Sequence, residues 1–293
     1  MNRCVVLAAL VCAAACGKRQ QVESGVGSGV GSDTCEQLPF AASVPVAEAS
    51  GAAWLEVGGK QALVVNADSG HRGEYAIIDP ETGNVIEQGS LPLGQVPKDA
   101  DDIEGLATRG GMLYGLQSSG WMRVWKRVGS GFELVDGPYP IATGDNFSCA
   151  IDDGNCGKNY EGLAIAPKPN GPCAGFACSK EDGHLYCLVE QQDGRFAVDR
   201  TKSIAVERKG VLADCAFSPL GKLFVGNNMF GNSTVYVVDG WADPAKARVE
   251  EVGELGVGFP EAIAVDSALI YRLSDTGGSP SMMAKFRCLA PGR

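Results

Sequence analysis

One short segment recurs five times along the chain, with a period of about fifty residues. Each copy begins with a polar or acidic residue, continues with small and apolar residues, and is followed by an apolar run that ends in polar residues. The five copies are Ser50-Gly-Ala-Ala, Glu104-Gly-Leu-Ala, Glu161-Gly-Leu-Ala, Asp214-Cys-Ala-Phe and Glu261-Ala-Ile-Ala. A period of this length indicates repeated supersecondary units, each of which buries its apolar face against the next.

Each repeat holds enough sequence for four short strands. The apolar runs that we interpret as second strands are 62–68, 112–118, 184–190, 222–228 and 269–275. Third strands are predicted at 75–79, 122–126, 195–199, 234–239 and 283–287. Four strands per repeat around a common axis make a β-propeller. The 40 glycines and 15 prolines fit such a turn-rich, all-β chain.

The two ends of the chain complete the predicted ring. The fifth repeat stops before its fourth strand, while residues 35–45 are apolar, strand-like and without another partner. We therefore predict an all-β domain at 35–293, a propeller of five four-stranded blades closed by an N-terminal strand, which leaves no open sheet edge in the ring. Cys35 and Cys288 would then be neighbours and form a disulfide. A sixth, degenerate blade and a β-sandwich stay open as alternatives, although a sandwich does not explain the period.

The N-terminus resembles that of exported bacterial lipoproteins. A short basic start precedes an apolar run from 4 to 15, too short to span a bilayer, and then Ala13-Ala-Ala-Cys16-Gly17. The resemblance to a lipobox implies that 1–15 is a signal peptide and that Cys16 carries the lipid anchor that binds the membrane. Because Gly17 is not Asp, the same analogy favours the outer membrane, with the periplasmic or cell-surface side left open. The alternative is an ordinary signal peptide cleaved after Ala-x-Ala.

Residues 16–34 are rich in Gly and Ser and are predicted to form a flexible tether. The cysteines that follow number eight, an even count that reads as disulfides in an exported chain. We expect Cys149–Cys156 to staple one loop and Cys173–Cys178 another, which leaves two on the inner strands of adjacent blades, Cys187 and Cys215. The absence of a CxxC pair, together with only 2 histidines, argues against zinc.

Acidic residues are predicted to meet at one mouth of the central channel. The innermost strands of a propeller line its axis, so equivalent residues of different blades face each other. The predicted ring position holds Glu104, Glu161, Asp214 and Glu261. The ends of the second strands add further possible ligands, namely Asn66, Asp68, Gln117, Glu190, Asn227 and Asp275. Two inter-blade loops, 95–103 and 142–160, should open on the same face, and the first carries Asp99, Asp101 and Asp102.

Several buried carboxylates repel one another unless they are protonated or bind a cation. Oxygen ligands without His or Cys suit Ca²⁺, so we expect calcium as the cofactor. The alternative is a water-filled channel in which these side chains bond backbone amides. The net charge of −10 argues against nucleic acid as a partner and favours cationic ligands or metal ions.

The starts Asp102-Ile-Glu-Gly-Leu-Ala and Tyr160-Glu-Gly-Leu-Ala resemble those of the phytase-like and SdiA-regulated propeller families. More distantly, residues 46–289 are similar to the gluconolactonase and paraoxonase group, whose axial acidic and amide side chains hold Ca²⁺. The resemblance implies that Glu104, Glu161, Asp214 and Glu261 are ligands or neighbours of ligands. One departure matters, because paraoxonase-type hydrolysis uses histidines and only His71 lies in a position to reach the site.

Two functions compete at this stage. The first is a binding or scaffold lipoprotein with a structural calcium ion, whose small-molecule or protein ligand the sequence does not name. The second is a calcium-dependent hydrolase of an ester, lactone or phosphoester, in which the metal polarises a substrate oxygen and Glu161 acts as the base. We favour the first, because no catalytic motif with a nucleophile is present. A lectin would need exposed aromatics at the mouth, whereas the tryptophans lie within or next to predicted strands.

Overall fold

The computed structural model describes residues 35–98, 100–142, 149–206, 210–228 and 233–288. The predicted signal peptide, Cys16, the tether and Asp99 lie outside these ranges. In the described parts the chain forms 21 strands and a short 3₁₀ turn at Pro244–Lys246. Among these residues, no helix has the length and apolar character that crossing a membrane requires.

The chain starts with β1 (Cys35–Leu38) and β2 (Ser43–Val44) and then builds four blades from consecutive strands, each an antiparallel sheet of four. Blade 1 contains β3 (Ala49–Val57), β4 (Lys60–Ala67), β5 (Glu74–Ile78) and β6 (Val85–Ser90). Blade 2 contains β7 (Ile103–Arg109), β8 (Met112–Gln117), β9 (Trp121–Val128) and β10 (Gly131–Pro140). Blade 3 contains β11 (Tyr160–Ile165), β12 (Gly175–Ser179), β13 (His184–Glu190) and β14 (Phe196–Ala205). Blade 4 contains β15 (Val211–Phe217), β16 (Leu223–Asn228), β17 (Thr234–Asp239) and β18 (Arg248–Glu254).

Blade 5 joins the two ends of the chain. It contains β19 (Phe259–Asp266), β20 (Leu269–Asp275), β21 (Ser281–Cys288) and, as its outer strand, β1. Strand β1 pairs antiparallel with β21 in a register that sets Cys35 opposite Cys288, and these two cysteines form a disulfide. Five blades and closure by an N-terminal strand are therefore confirmed, and the described residues contain neither a sixth blade nor a sandwich.

The prediction for blade 3 was wrong by one strand. We expected the second strand at 184–190, but the second strand is β12 and residues 184–190 are the third, β13. Strand β12 was not predicted because it is only five residues long, Gly-Phe-Ala-Cys-Ser, and has no run of β-branched residues. Since neighbouring strands run in opposite directions, the error moves the end of 184–190 to the opposite face of the ring.

Two disulfides correct the predicted pairing within blade 3. Cys149–Cys156 is confirmed as a staple. Cys173 and Cys178, however, do not pair with each other: Cys173 bonds Cys187, and Cys178 bonds Cys215. The cause is again β12, because Cys178 lies in this strand, and Cys173, just before it, bonds to Cys187 of the neighbouring strand β13. Cys178 then links the second strand of blade 3 to the innermost strand of blade 4.

The core consists of one apolar cluster at each interface between neighbouring blades. The five clusters join blades 1 and 2, 2 and 3, 3 and 4, 4 and 5, and 5 and 1. The interface of blades 1 and 2, for example, is filled by Tyr75, Leu106 and the fully buried Trp125. Burial of apolar area at every interface therefore holds the ring together in the way the repeat pattern predicts.

Close approach of the innermost strands explains the glycines of the repeated segment. A Cβ on Gly105 would lie 2.4 Å from the backbone nitrogen of Leu163. A Cβ on Gly162 would lie 2.7 Å from both the Oδ1 of Asp214 and the backbone nitrogen of Cys215. Neither contact leaves room for a side chain, so glycine at this position lets adjacent blades converge at the axis.

Candidate functional site

Each innermost strand carries a bulge at the start of the repeated segment. The strand pairing skips one residue per blade, and the skipped residues are Ser50, Glu104, Glu161, Ala213 and Glu261. A bulge re-aims the side chain of the extra residue, here at the face where the innermost strands begin. We call the acidic residues at this face the acidic mouth: Asp68, Asp102, Glu104, Glu161 and Glu261.

The assignment of Asp214 to the same ring position was wrong. Blade 4 has Ala213 at the bulge, and Asp214 occupies the position of Gly105 and Gly162. The Asp214 carboxylate accepts hydrogen bonds from the backbone N–H of Cys215 at 2.6 Å and of Ile263 at 2.9 Å. Asp214 thus connects blade 4 to blade 5 through backbone amides, which is the alternative role that the sequence left open for these acids.

Three carboxylates cluster where blades 1 and 2 meet. Asp68, Asp102 and Glu104 each offer an oxygen, and these oxygens lie within 4.8 Å of one another. Serine hydroxyls orient two of the three, since Ser50 donates to Glu104 and Ser118 donates to Asp102. Among the described residues none of the three carboxylates forms an ion pair, although Glu104 is only 4% exposed.

A lysine that the sequence analysis missed neutralises the other side of the mouth. Lys180 follows β12 and places its Nζ 2.8 Å from Oε2 of Glu161 and 3.9 Å from Oε1 of Glu261. Asn228 donates a further hydrogen bond of 3.1 Å to Oε1 of Glu261. The second oxygen of Glu161, Oε1, is buried and has no hydrogen-bond partner among the described residues. Recognition of β12 was the missing signal, because Lys180 follows it as Asp68 follows β4.

Burial dominates the electrostatics of the mouth. It raises the pKa of Glu104 well above the ordinary value, reinforced by the charges of Glu161, Asp68 and Asp102. Burial also raises the pKa of Asp68 to about 6, although hydrogen bonds to Ser69 and Glu104 oppose the shift. Without a bound cation, Glu104 therefore tends to hold a proton, and Asp68 takes one up as the pH falls towards 6.

The lysine moderates the shifts on its own side. Burial raises the pKa of Glu161 to about 7 against the opposing charge of Lys180. Burial raises the pKa of Glu261 to about 8, again against Lys180. Burial alone would lower the pKa of Lys180, but the charges of Glu161 and Glu261 outweigh it and raise this pKa. Lys180 is thus held as a cation inside the mouth.

Asp214 is also protonation-prone for reasons of burial. Its pKa is raised well above the ordinary value by burial, while the amides of Ile263 and Cys215 and the charge of Arg272 act in the other direction. Arg272 is itself fully buried, and burial lowers its pKa to about 10. Asp214 and Arg272 lie at the interface of blades 4 and 5 and are not part of the acidic mouth.

The residues predicted at the ends of the second strands lie in different environments. Asp68 joins the carboxylate cluster, and Asp275 lies near Glu261, whose pKa its charge helps to raise. Gln117 is used internally, since its Oε1 accepts from Arg123 and its Nε2 donates to Ile151. Glu190 was misplaced by the prediction, because it ends a third strand at the opposite face and pairs with Arg109 at 2.8 Å.

The two asparagines proposed as ligands bond mainly to backbone. Asn66 donates through Nδ2 to the carbonyls of Ala67 and Ile103, the second of which belongs to blade 2. Asn227 accepts from the backbone N–H of Thr234 through Oδ1. Both side chains are fully buried, and their bonds connect neighbouring strands or blades. Their hydrogen bonds therefore support the strands behind the mouth.

The stapled loop covers one side of the mouth. In its described part, the backbone N–H of Asn155 donates to Ser118, and the indole of Trp121 donates to the carbonyl of Cys149. Gly154 approaches the Asp102 carboxylate, to which a Cβ on the glycine would lie 3.6 Å away. These bonds fix the described part of the loop beside Asp102.

Comparison with solved structures supports the fold. The PQQ-bound aldose sugar dehydrogenase of Streptomyces coelicolor is 13% identical, with 88% of this chain and 98% of that chain covered and a TM-score of 0.50. The glutaminyl cyclase of Myxococcus xanthus is 15% identical, with 87% and 97% covered and a TM-score of 0.51. No protein-family model matches this sequence, and no curated protein sequence matches it either. At these identities the likeness extends to the β-propeller fold and not to the phytase-like or SdiA-regulated families in particular.

Proposed function

We propose that the protein is an exported, lipid-anchored β-propeller that binds a divalent cation, Ca²⁺, at the acidic mouth and acts as a binding or scaffold lipoprotein of the outer membrane. The observation that carries the proposal is the cluster of Asp68, Asp102 and Glu104, three carboxylates within 4.8 Å of one another. A buried carboxylate without a basic partner is costly unless it is protonated or binds a metal ion.

The donor set fits calcium in its chemistry. All three groups offer oxygen, and neither His nor Cys belongs to the cluster. Calcium takes six to eight oxygen ligands from carboxylates, carbonyls and water, so three carboxylates supply the charged part of such a shell. Lys180 neutralises Glu161 and Glu261, which shifts the proposed ion from the axis towards blades 1 and 2. This differs from the sequence-based ligand set, in which four acids of four blades shared the ion.

Calcium is expected to stabilise the protein against heat, and chelation to reverse the effect. A ligand that binds only the folded state contributes about 2.7 kcal/mol at a hundred times its dissociation constant, or roughly 5–10 °C in a chain of this size. The Glu104→Gln variant should lose most of this gain and melt no lower than the parent in the absence of calcium, because Gln is neutral and removes the cost of burying and protonating this carboxyl. Scanning calorimetry with calcium and with chelator measures both effects.

A matched control for this experiment is Glu190→Gln. Glu190 lies at the opposite face, so its variant should keep the full calcium-induced rise in melting temperature whatever the loss of its pair with Arg109 does to the baseline. A parent protein that melts alike with calcium and with chelator would contradict the proposal and favour carboxyls that are simply protonated. Full retention of the calcium effect in Glu104→Gln would contradict the ligand set.

A calcium-dependent hydrolase is the second candidate, and one observation favours it. Within the described part of the chain Glu161 has a buried oxygen without a partner, and burial raises its pKa to about 7, which suits a general base at neutral pH. A bound ion beside it would polarise a substrate oxygen. The same calcium-loaded samples distinguish the two functions: hydrolysis of aryl esters or lactones that chelator abolishes supports the enzyme, and its absence supports the binding protein.

Anchoring makes a separate prediction. Replacement of Cys16 by Ser removes the proposed site of lipid attachment, so the protein should move from the membrane fraction to the soluble fraction. The control is Cys12→Ser, which changes a cysteine of the apolar run and should leave fractionation as it is. Membrane fractionation and labelling with radioactive palmitate measure the result. An unlabelled parent that fractionates like Cys16→Ser would contradict the anchor.

A further inference from the structure

A second concave site lies at the face opposite the acidic mouth. It is a cavity of about 650 Å³, within the range of sites for small molecules. Its apolar walls come from the ends of innermost strands and from the outer part of blade 2, and they include Trp54, Phe132, Ile165 and Phe217. The opposite face therefore offers a ligand a cavity with apolar walls.

The floor of this cavity explains the last residue of the repeated segment. In each blade the residue two positions after the close-approach position is alanine, and these five line one small extension of about 40 Å³ below the cavity: Ala53, Ala107, Ala164, Ala216 and Ala264. Methyl groups from all five blades thus close the channel from this side. The floor is apolar, and the acidic residues lie at the other end.

The charges around the cavity leave an excess of carboxylate. Arg127 lines the wall, but Glu87 neutralises it through hydrogen bonds of 2.6 and 3.1 Å. Arg109 lines the wall as well and pairs with Glu190. Glu56 and Asp266 also line the cavity, and among the described residues neither has a basic partner. The cavity therefore favours a positively charged ligand over an anion.

Trp54, which is partly exposed and packs at right angles to Tyr271, is the wall residue that suits such a charge best. Its indole N–H donates to the carbonyl of Val265 at 2.8 Å, and its own carbonyl accepts from Thr108 at 2.6 Å, so the ring is held in place. Phe132, by contrast, already carries the guanidinium of Arg127 at 5.7 Å from its centroid. Within the described ranges no cation stacks on Trp54, and tryptophan is the best aromatic partner for one.

We propose that this cavity binds a small organic cation with an apolar or aromatic body, the body against the alanine floor and the aromatic walls, and the charge near Trp54, Glu56 and Asp266. The site is separate from the acidic mouth and does not depend on calcium. Its ligand is a quaternary or protonated amine that carries a ring or a short hydrocarbon chain.

Three probes with the same aromatic body and different charge test the proposal: 2-naphthylmethyltrimethylammonium, 2-naphthalenemethanol and 2-naphthylacetate. Titration calorimetry on the full-length chain carrying Cys16→Ser, at physiological salt, should give saturable binding in the order cation, alcohol, anion. The cation should bind at least about tenfold more tightly than the anion. Absence of saturable binding by the cation, or equal affinity for all three probes, would overturn the proposal.

Substitutions of the lining carboxylates test where the charge of the bound cation lies. Glu56→Gln combined with Asp266→Asn should weaken binding of the cation about fivefold and leave binding of the alcohol unchanged. The matched control is Glu250→Gln with Glu251→Gln on the exposed outer strand β18, which alters net charge equally and should change neither affinity. An equal loss in the control would reduce the effect to overall charge and overturn the assignment. Competition by calcium, or loss of cation binding in Asp68→Asn, would move the binding to the acidic mouth and likewise overturn it.

Discussion

Replacement of both Cys35 and Cys288 by serine is expected to lower the free energy of unfolding by about 5 kcal/mol, because this disulfide closes a loop of nearly the whole propeller. The two cysteines are 253 residues apart in sequence. Without the bond, the outer strand of blade 5 is held by only four residue pairs between β1 and β21. The melting temperature should fall by roughly 10–20 °C in a chain of this size. Denaturant titration and calorimetry under non-reducing conditions measure the loss.

The Cys149–Cys156 disulfide provides the control for ring closure. Its cysteines are 7 residues apart, so the same model assigns its removal a loss of about 2 kcal/mol. The double serine variant of this pair should therefore be clearly more stable than that of Cys35 and Cys288. Equal losses would show that loop length does not govern the effect, and no loss at Cys35 and Cys288 would show that strand pairing alone closes the ring.

Replacement of Lys180 by methionine is expected to destabilise the protein by about 3 kcal/mol at pH 8, the lower end of the range for a buried ion pair that loses one partner. The variant leaves Glu161, which is 2% exposed, and Glu261 without their cation. The folded-state pKa values of these acids, about 7 and about 8, lie above the ordinary 4.5, so protonation favours the folded state. The contribution of these two acids to the free energy of unfolding is complete below about pH 4.5 and is lost as pH rises through 7 and 8.

The loss in Lys180→Met should therefore be largest at pH 8 and nearly vanish at pH 5, where the glutamates are protonated. Lys158→Met is the matched control, since Lys158 is 29% exposed against 28% for Lys180. Its partner Asp182 is 27% exposed, and such a pair contributes about 1 kcal/mol or less. Denaturant titrations at both pH values compare the two. Similar losses of unfolding free energy in both variants would contradict the proposed neutralisation of Glu161 and Glu261 by Lys180. So would a loss in Lys180→Met that does not change with pH.

Register explains which part of the mouth could be predicted. Glu104, Glu161 and Glu261 were predicted correctly as equivalent residues, because each directly precedes the close-approach position of its blade. Asp214 was assigned wrongly, because the sequence was aligned on the acidic residue and not on the strand. The pattern Leu212-Ala213-Asp214 against Ile103-Glu104-Gly105 contains the correct alignment. A shift of one residue reverses the direction of a side chain in a strand.

The placement of Lys180 at the mouth depended on β12. A five-residue strand without β-branched residues gives almost no periodic signal, so the lysine after it was not placed at the mouth. The same error placed Glu190 at the mouth and paired Cys173 with Cys178. The sequence pattern therefore could not predict that Lys180 neutralises the acids or that Cys178–Cys215 links blade 3 to blade 4.

By itself the sequence determined the architecture: the period specified repeated units, the count of repeats specified five blades, and the unpaired N-terminal segment specified how the ring closes. These properties follow from local patterns of apolar and turn residues, which are present in every copy. Only the tertiary structure decided which charges meet, because contacts across the axis join residues of different blades and change with a single step of register. The cluster of Asp68, Asp102 and Glu104, the lysine opposite it and the alanine-floored cavity are all contacts of that kind.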